Sequence, residues 1–208
     1  MNIFVLSTGR CGSVTFSRAC AHITSYSTAH ESNADLIGAR RLEFPEDHIE
    51  VDNRLAWYLG RLDSRFGDDA IYVNLVREKE QVARSYARRK SFGIMSGFHN
   101  GILINAGDLE PLDIANDMID TVQANIRHFL RGKSRTMECR LENIQTDFGK
   151  FWELIGAEGD LEAALNTFTR DHNTSAEMFD APRPSISSRL LRKTWRIMEG
   201  LPTYLRDA

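Results

Sequence analysis

The sequence contains few of the features that mark specialised protein classes. Its 208 residues include three cysteines, Cys11, Cys20 and Cys139, an odd number without close spacing, which argues against a disulfide framework and against a zinc site. No apolar run approaches membrane-spanning length, and the first, Ile3–Leu6, follows no basic leader. The net charge is only −3, so no broad nucleic-acid surface is indicated. We therefore expect a cytoplasmic protein with no metal centre, membrane span or nucleic-acid partner.

The chain alternates instead between strand-like and helix-like segments. Apolar runs predict strands at residues 3–6, 23–28, 48–52, 70–76 and 135–139. Helical spacing or helix-start signals predict helices at residues 13–21, 53–62, 79–90, 111–129, 148–155, 161–168 and 187–199. A glycine-rich loop is expected at residues 91–110 and a turn at 180–184. This alternation predicts an α/β fold with a mostly parallel sheet flanked by helices. We expect one domain over residues 1–208, helical from about residue 145.

The loop after the first predicted strand has the composition of a phosphate-binding loop. Gly9 and Gly12 allow a tight turn that brings backbone amides close to an anion. The helix that follows presents unpaired N–H groups and the positive end of its dipole. Arg10 adds a permanent charge, and Ser13 and Thr15 add hydroxyl donors. The loop therefore predicts a phosphate site.

The same loop lacks the lysine of a Walker A motif. Gly12 stands where that lysine would precede Ser13, and the first lysine of the chain is Lys79. This weighs against an ATP-hydrolysing enzyme. A nucleotide or small-molecule kinase of related architecture, and a nucleotide-binding protein without turnover, stay open as alternatives.

A second candidate phosphate site follows the strand predicted at residues 70–76. Arg77 stands at the end of this strand, and Ser85 follows within the next predicted helix. A guanidinium and a hydroxyl together suit a phosphate. Since carboxyl ends of parallel strands meet at one edge of a sheet, this pair and the Gly9–Ser13 loop predict a ligand with two phosphate groups.

With both sites in this order, the chain resembles the sulfotransferases that use 3′-phosphoadenosine 5′-phosphosulfate (PAPS). The residues Gly9-Arg10-Cys11-Gly12-Ser13 resemble the family's 5′-phosphosulfate loop. Leu75-Val76-Arg77 with Val82-Ala83-Arg84-Ser85-Tyr86 resembles its 3′-phosphate motif. Cys139-Arg140-Leu141-Glu142-Asn143-Ile144 is a weaker match to its late strand-turn. The Arg-Lys-Gly element of the animal cytosolic branch is not evident, so the resemblance is to bacterial or carbohydrate-type members.

The resemblance implies a P-loop-NTPase-like sulfotransferase fold and an enzyme that transfers a sulfuryl group by in-line displacement. It implies PAPS as donor, the bisphosphate PAP as product and no metal. The acceptor would be a small molecule or carbohydrate with a hydroxyl or amine. The donor-binding residues that it implies are Arg10, Cys11, Gly12, Ser13, Val14, Thr15, Arg77 and Ser85. Arg10 would also contact the leaving group.

The general base is expected after the second predicted strand, where the sequence reads Ala29-His30-Glu31-Ser32. Members of the family use a histidine or a glutamate as base. Glu31 is our first choice and His30 the second. The alternative is that Glu31 caps a following helix and His30 is an ordinary loop residue. The identity of the acceptor and the oligomeric state are not indicated by the sequence.

Overall fold

A parallel sheet of five strands forms the centre of the fold in the computed structural model, which describes residues 1–104, 107 and 109–170. The strands are β1 (Ile3–Leu6), β2 (Ser27–His30), β3 (His48–Val51), β4 (Ile71–Val76) and β5 (Thr136–Arg140). Their order is β2-β3-β1-β4-β5, and every neighbouring pair is parallel. The predicted α/β class is confirmed, and Met1–Arg170 forms one compact unit.

The helices of this unit are α1 (Ser13–Cys20), α2 (Leu59–Phe66), α3 (Lys79–Ala87), α4 (Gly93–Gly97), α5 (Pro111–Leu130), α6 (Ile144–Leu154) and α7 (Leu161–Arg170). Short 3₁₀ turns cover Gly38–Leu42, Asn53–Trp57 and Leu141–Asn143, and a π-helical turn covers Phe98–Ile102. Phe16 of α1 packs 5.2 Å from Phe148 of α6, ring centre to ring centre. On the sheet's other face, Phe4 of β1 packs 4.6 Å from Phe66 of α2.

The strand order places a crevice between β1 and β4. The connection after β1 leads towards the β2 edge, and the connection after β4 leads towards the β5 edge. The two loops therefore diverge, and ligands of open parallel sheets bind at such a switch point. The loop at residues 7–12 and the segment from Arg77 flank this crevice.

The second predicted strand differs from the observed one. It begins at Ser27 rather than at residue 23, and Ile23 forms only an isolated antiparallel bridge with Gly159. In the sheet, β3 rather than β2 lies beside β1. All four residues of β3 are buried, whereas β2 carries small and polar side chains of partial exposure. The more buried strand takes the interior position, and the polar one forms the edge.

Other differences concern helix bounds and the region predicted as a loop. The helix expected at residues 79–90 ends at Ala87, and the loop expected at 91–110 includes α4 and the π-helical turn. Met95 and Phe98 are buried and anchor this segment to the core. The turn predicted at 180–184 and the helix at 187–199 lie outside the described residues, so the single-domain prediction for the full length stays a prediction.

Candidate anion-binding site

The loop between β1 and α1 has the backbone of an anion cradle. Gly9, Arg10 and Gly12 have φ angles of 84°, 62° and 84°, so the chain turns repeatedly through the left-handed region. Gly12 precedes α1, and no described side chain caps this helix end by a hydrogen bond. The first-turn amides of an eight-residue helix are thus available to a ligand at its positive end.

Glycine is required at both turns because neighbouring side chains approach closely. A Cβ atom on Gly9 would lie 2.1 Å from Tyr86 Oη and 2.7 Å from Asn53 Nδ2. A Cβ atom on Gly12 would lie 2.9 Å from Leu141 Cδ1. The loop is therefore packed between α3, the 3₁₀ turn after β3 and the turn after β5, which fixes its shape before any ligand binds.

Three arginines and one serine meet beside this loop. Nε of Arg10 donates to Oγ of Ser85 at 3.1 Å, and a guanidinium nitrogen of Arg89 donates to the same hydroxyl at 3.3 Å. Arg77 donates to the backbone carbonyl of Arg10 at 3.4 Å and to the Gln81 side chain at 2.6 Å. The loop after β1 and the segment after β4 are thus joined into one site.

The electrostatics of this cluster favour an anion. Burial lowers the pKa of Arg10, and the positive charge of Arg77 adds to this effect while Tyr86 opposes it. Burial also lowers the pKa of Arg89, and the nearby charge of Arg10 contributes. Like charges that repel one another in a partly buried site are stabilised by a bound anion such as a phosphate.

Cys11 is a structural member of the loop. Its side chain is buried, and burial raises the pKa of its thiol to about 11. The thiol donates to the carbonyl of Gly9 at 3.3 Å. A thiol that is protonated at neutral pH and bonded within the loop supports the turn and is not a nucleophile.

The two candidate bases have different surroundings. Nε2 of His30 lies 3.1 Å from Oγ of Ser13, the first residue of α1, so the imidazole touches the anion cradle. Glu31 follows with a φ of 52° and forms an ion pair with Arg54, whose side chain is 40% exposed. His30 reaches the cradle although β3 lies between β1 and β2, because α1 packs over both β2 and β3.

Two buried carboxylates of the β3 region hold the segment around Glu31. Asp52 accepts from the backbone N–H of Arg54 at 2.7 Å and pairs with the buried Arg41 at 2.5 Å. Burial raises the pKa of Asp52, and the hydrogen bond from Arg41 partly opposes this. Glu50 accepts from the backbone N–H of Ser32 at 2.8 Å and from its hydroxyl at 2.6 Å. Buried carboxylates therefore hold both Ser32, which follows Glu31 in the chain, and Arg54, its ion-pair partner.

The chain matches no known family model and no curated protein. Among solved structures, it is similar to the "Sulfotransferase Domain from the Curacin Biosynthetic Pathway", with 16% identity, a TM-score of 0.55 and coverage of 78% of this chain and 75% of that one. The mouse sulfotransferase SULT7A1 complexed with PAP matches at 13% identity with a TM-score of 0.49, over 88% of this chain and 69% of that one. The chain has a sulfotransferase fold.

Within this sulfotransferase fold, most of the predicted donor-binding residues lie together. Arg10, Arg77 and Ser85 contact one another directly or through the loop backbone. Gly12 and Ser13 form the start of α1. Val14 and Thr15 lie in the first turn of α1, at its partly exposed end. Their binding roles stay predictions.

Three residues of the site were not among the predicted site residues. Tyr86 donates to the loop, Arg89 donates to Ser85, and Asn53 lies against Gly9. Arg89 lies in the basic run Arg88-Arg89-Lys90, and the sequence does not indicate which of these side chains turns inwards. Asp52 caps the turn at Asn53–Trp57. The hydrogen bond to Thr8 identifies Tyr86 as a loop contact, and the closeness of a Cβ at position 9 to Asn53 Nδ2 identifies Asn53.

Two negative observations apply to the part of the chain that the structure describes. No group of three or more histidine, cysteine or acidic side chains is arranged to hold a metal ion there. Likewise, none of the helices described has both the length and the apolar character needed to cross a bilayer. Both observations concern residues 1–104, 107 and 109–170 alone.

Proposed function

We propose that this protein is a PAPS-dependent sulfotransferase, which transfers a sulfuryl group to a hydroxyl or amine of a small-molecule or carbohydrate acceptor. The observation that carries the proposal is the joining of Arg10, Arg77 and Ser85 at the crevice between β1 and β4. A site with two groups of anion-binding residues suits a nucleotide with phosphates at both 3′ and 5′ positions. The sulfotransferase fold supports the same conclusion.

The donor would be held by the two groups in different ways. The loop amides, the start of α1 and Ser13 would bind the 5′-phosphosulfate, and Arg77 with Ser85 would bind the 3′-phosphate. Bound PAPS supplies an activated sulfuryl group with a phosphate leaving group. Arg10 would stabilise negative charge on that leaving group, and it carries no proton that it can readily donate at neutral pH.

Glu31 is proposed as the base that removes the acceptor proton, and His30 is the second candidate. The ion pair with Arg54 and the bonds that Glu50 makes to Ser32 support Glu31, because a base acts from a fixed position. The contact of His30 with Ser13 supports a role for His30 at the phosphosulfate end of the site.

Calorimetry with 3′,5′-ADP, 5′-AMP and ATP tests the proposal. We expect the protein to bind 3′,5′-ADP most tightly and to lose about tenfold or more of this affinity in Arg77→Ala, because a charge-assisted hydrogen bond contributes about 1.5–3 kcal/mol. The matched control is Arg84→Ala, since Arg84 lies on α3 but forms an exposed pair with Glu80. Equal affinity for 5′-AMP and 3′,5′-ADP would contradict the proposal, and a preference for ATP would favour the kinase alternative.

A further inference from the structure

The hydroxyl of Tyr86 forms a buried link between α3 and the anion-binding loop. Tyr86 is 5% exposed, and its Oη donates to the backbone carbonyl of Thr8 at 2.7 Å across 78 positions of sequence. Burial raises the pKa of this hydroxyl well above its ordinary value, so it stays protonated and acts as a donor. Tyr86 directly follows Ser85, the residue that accepts from Arg10.

The loop is shaped around this hydroxyl. Gly9 follows Thr8, and a Cβ at Gly9 would lie 2.1 Å from Tyr86 Oη and 3.3 Å from its Cζ. The phenol thus occupies the space that a side chain at position 9 would need. The packed ring of Tyr86 and the loop therefore restrict each other's position, and no charged group takes part in this contact.

Two further hydrogen bonds between the two sides of the site are made by residues proposed to bind phosphate. Arg10 bonds Ser85, and Arg77 bonds the carbonyl of Arg10. The Arg10 and Arg77 side chains are partly exposed and would turn to a bound ligand. Tyr86 is neutral and buried, and its contact with Thr8 involves no residue proposed to bind phosphate.

We propose that Tyr86 is a positioning residue that couples the 5′-phosphate subsite, formed by residues 9–15, to the 3′-phosphate subsite, formed by Arg77 and Ser85. The inference rests on the proposed function. When two subsites are held at the right separation, binding of one phosphate makes binding of the second an intramolecular event with a high effective concentration. Loss of the hydroxyl would leave both subsites intact and weaken only their alignment.

Tyr86→Phe tests this inference because it removes one oxygen atom and keeps the packed ring. Affinities for 3′,5′-ADP, 5′-AMP and 3′-AMP are measured by calorimetry, with displacement titrations for the weaker ligands. We expect the affinity for 3′,5′-ADP to fall about five- to tenfold, while the affinities for the two monophosphates stay within about twofold of wild type.

The matched control is Tyr72→Phe. The hydroxyl of Tyr72 also donates to a backbone carbonyl, that of Gly67 at 3.0 Å, but Tyr72 lies on β4 against α5, away from the loop. We expect this variant to bind all three nucleotides as wild type does. A general loss of stability from a missing tyrosine hydroxyl would instead affect both variants alike.

The remaining outcomes distinguish this inference from the proposed function. Unchanged 3′,5′-ADP affinity in Tyr86→Phe overturns the coupling role alone, since the preference for the bisphosphate would persist without it. An equal loss for all three nucleotides also overturns it, because Tyr86 would then merely support the loop. A wild-type protein that binds 5′-AMP as tightly as 3′,5′-ADP overturns the proposed function and the coupling with it.

Discussion

Arg10 and Ser85, 75 positions apart in sequence, meet through a 3.1 Å hydrogen bond from Nε to Oγ. Arg10 belongs to the loop after β1, and Ser85 to the helix after β4. The two strands are neighbours in the sheet. Residues that the sequence assigns to two separate phosphate motifs therefore form one site, in which Ser85 also accepts from Arg89.

Removing the Ser85 hydroxyl is expected to weaken binding of one phosphate group of the ligand more than binding of the other. Ser85→Ala should lower the affinity for 3′,5′-ADP about tenfold and change that for 5′-AMP by less than about twofold, since the proposed partner of Ser85 is the 3′-phosphate. Calorimetry measures both values. The control is Ser64→Ala, whose hydroxyl bonds the Gly60 carbonyl within α2. An equal loss for both nucleotides would show that Ser85 acts through Arg10 on the 5′ group.

The close packing of the loop makes a second prediction. Gly9→Ala should lower the free energy of unfolding by about 3 kcal/mol and abolish nucleotide binding, because a positive φ and a 2.1 Å contact with Tyr86 Oη act together. Gly38→Ala separates the two effects, since Gly38 also has a positive φ, 62°, but no atom within 4 Å of the added Cβ. It should cost only about 1 kcal/mol. Urea unfolding measures both, and equal losses would show that backbone strain alone is at work.

The sequence predicts those elements of the site that depend on a short stretch of chain, such as an apolar run, a turn glycine or a helix start. The buried run Ile3–Leu6, the glycines after it and the helix from Ser13 form one continuous signal, and the structure has each element at these positions. The same holds for β4 and the Arg77 that follows it. Periodicity and turn residues determine such elements almost independently of the rest of the chain.

Contacts between distant segments are not encoded in this way. Nothing local to β2 indicates that β3 separates it from β1, because that order depends on which strand buries more of its surface. The partner of Glu31 could not be predicted either, since Arg54 reaches it from a turn whose position depends on the buried pair of Asp52 and Arg41. Long-range ion pairs of this kind follow from the assembled fold.

The assignment of the base gives a third prediction. Glu31→Gln should lower turnover about a hundredfold or more, the range typical of a lost general base, and leave the affinity for 3′,5′-ADP within about twofold. Release of PAP with a panel of hydroxyl and amine acceptors measures turnover, and Glu46→Gln, an exposed position, is the control. Loss of turnover in His30→Ala with full turnover in Glu31→Gln would identify His30 as the base. Full turnover in both would contradict both assignments.

The buried carboxylate of Glu50 makes the fourth prediction, which concerns stability at low pH. Burial alone would raise its pKa, but hydrogen bonds from His48 and Ser32 outweigh burial, and the pKa lies below its ordinary value of 4.5. As the pH falls through 4.5, the unfolded chain therefore takes up this proton before the folded chain does. The contribution of Glu50 to stability is complete above that pH and is lost as the pH falls through the lower, folded-state value.

Urea unfolding between about pH 6 and pH 3 measures this dependence. We expect the free energy of unfolding of the wild type to fall with pH below 4.5, and Glu50→Gln to have a flatter profile in the same window, because its amide does not titrate. Glu80→Gln is the control, since the Glu80 carboxylate is exposed and pairs with the exposed Arg84. Parallel profiles for wild type and Glu50→Gln would show that other carboxylates govern acid unfolding, and that the bonds from Ser32 and His48 do not favour the charged form.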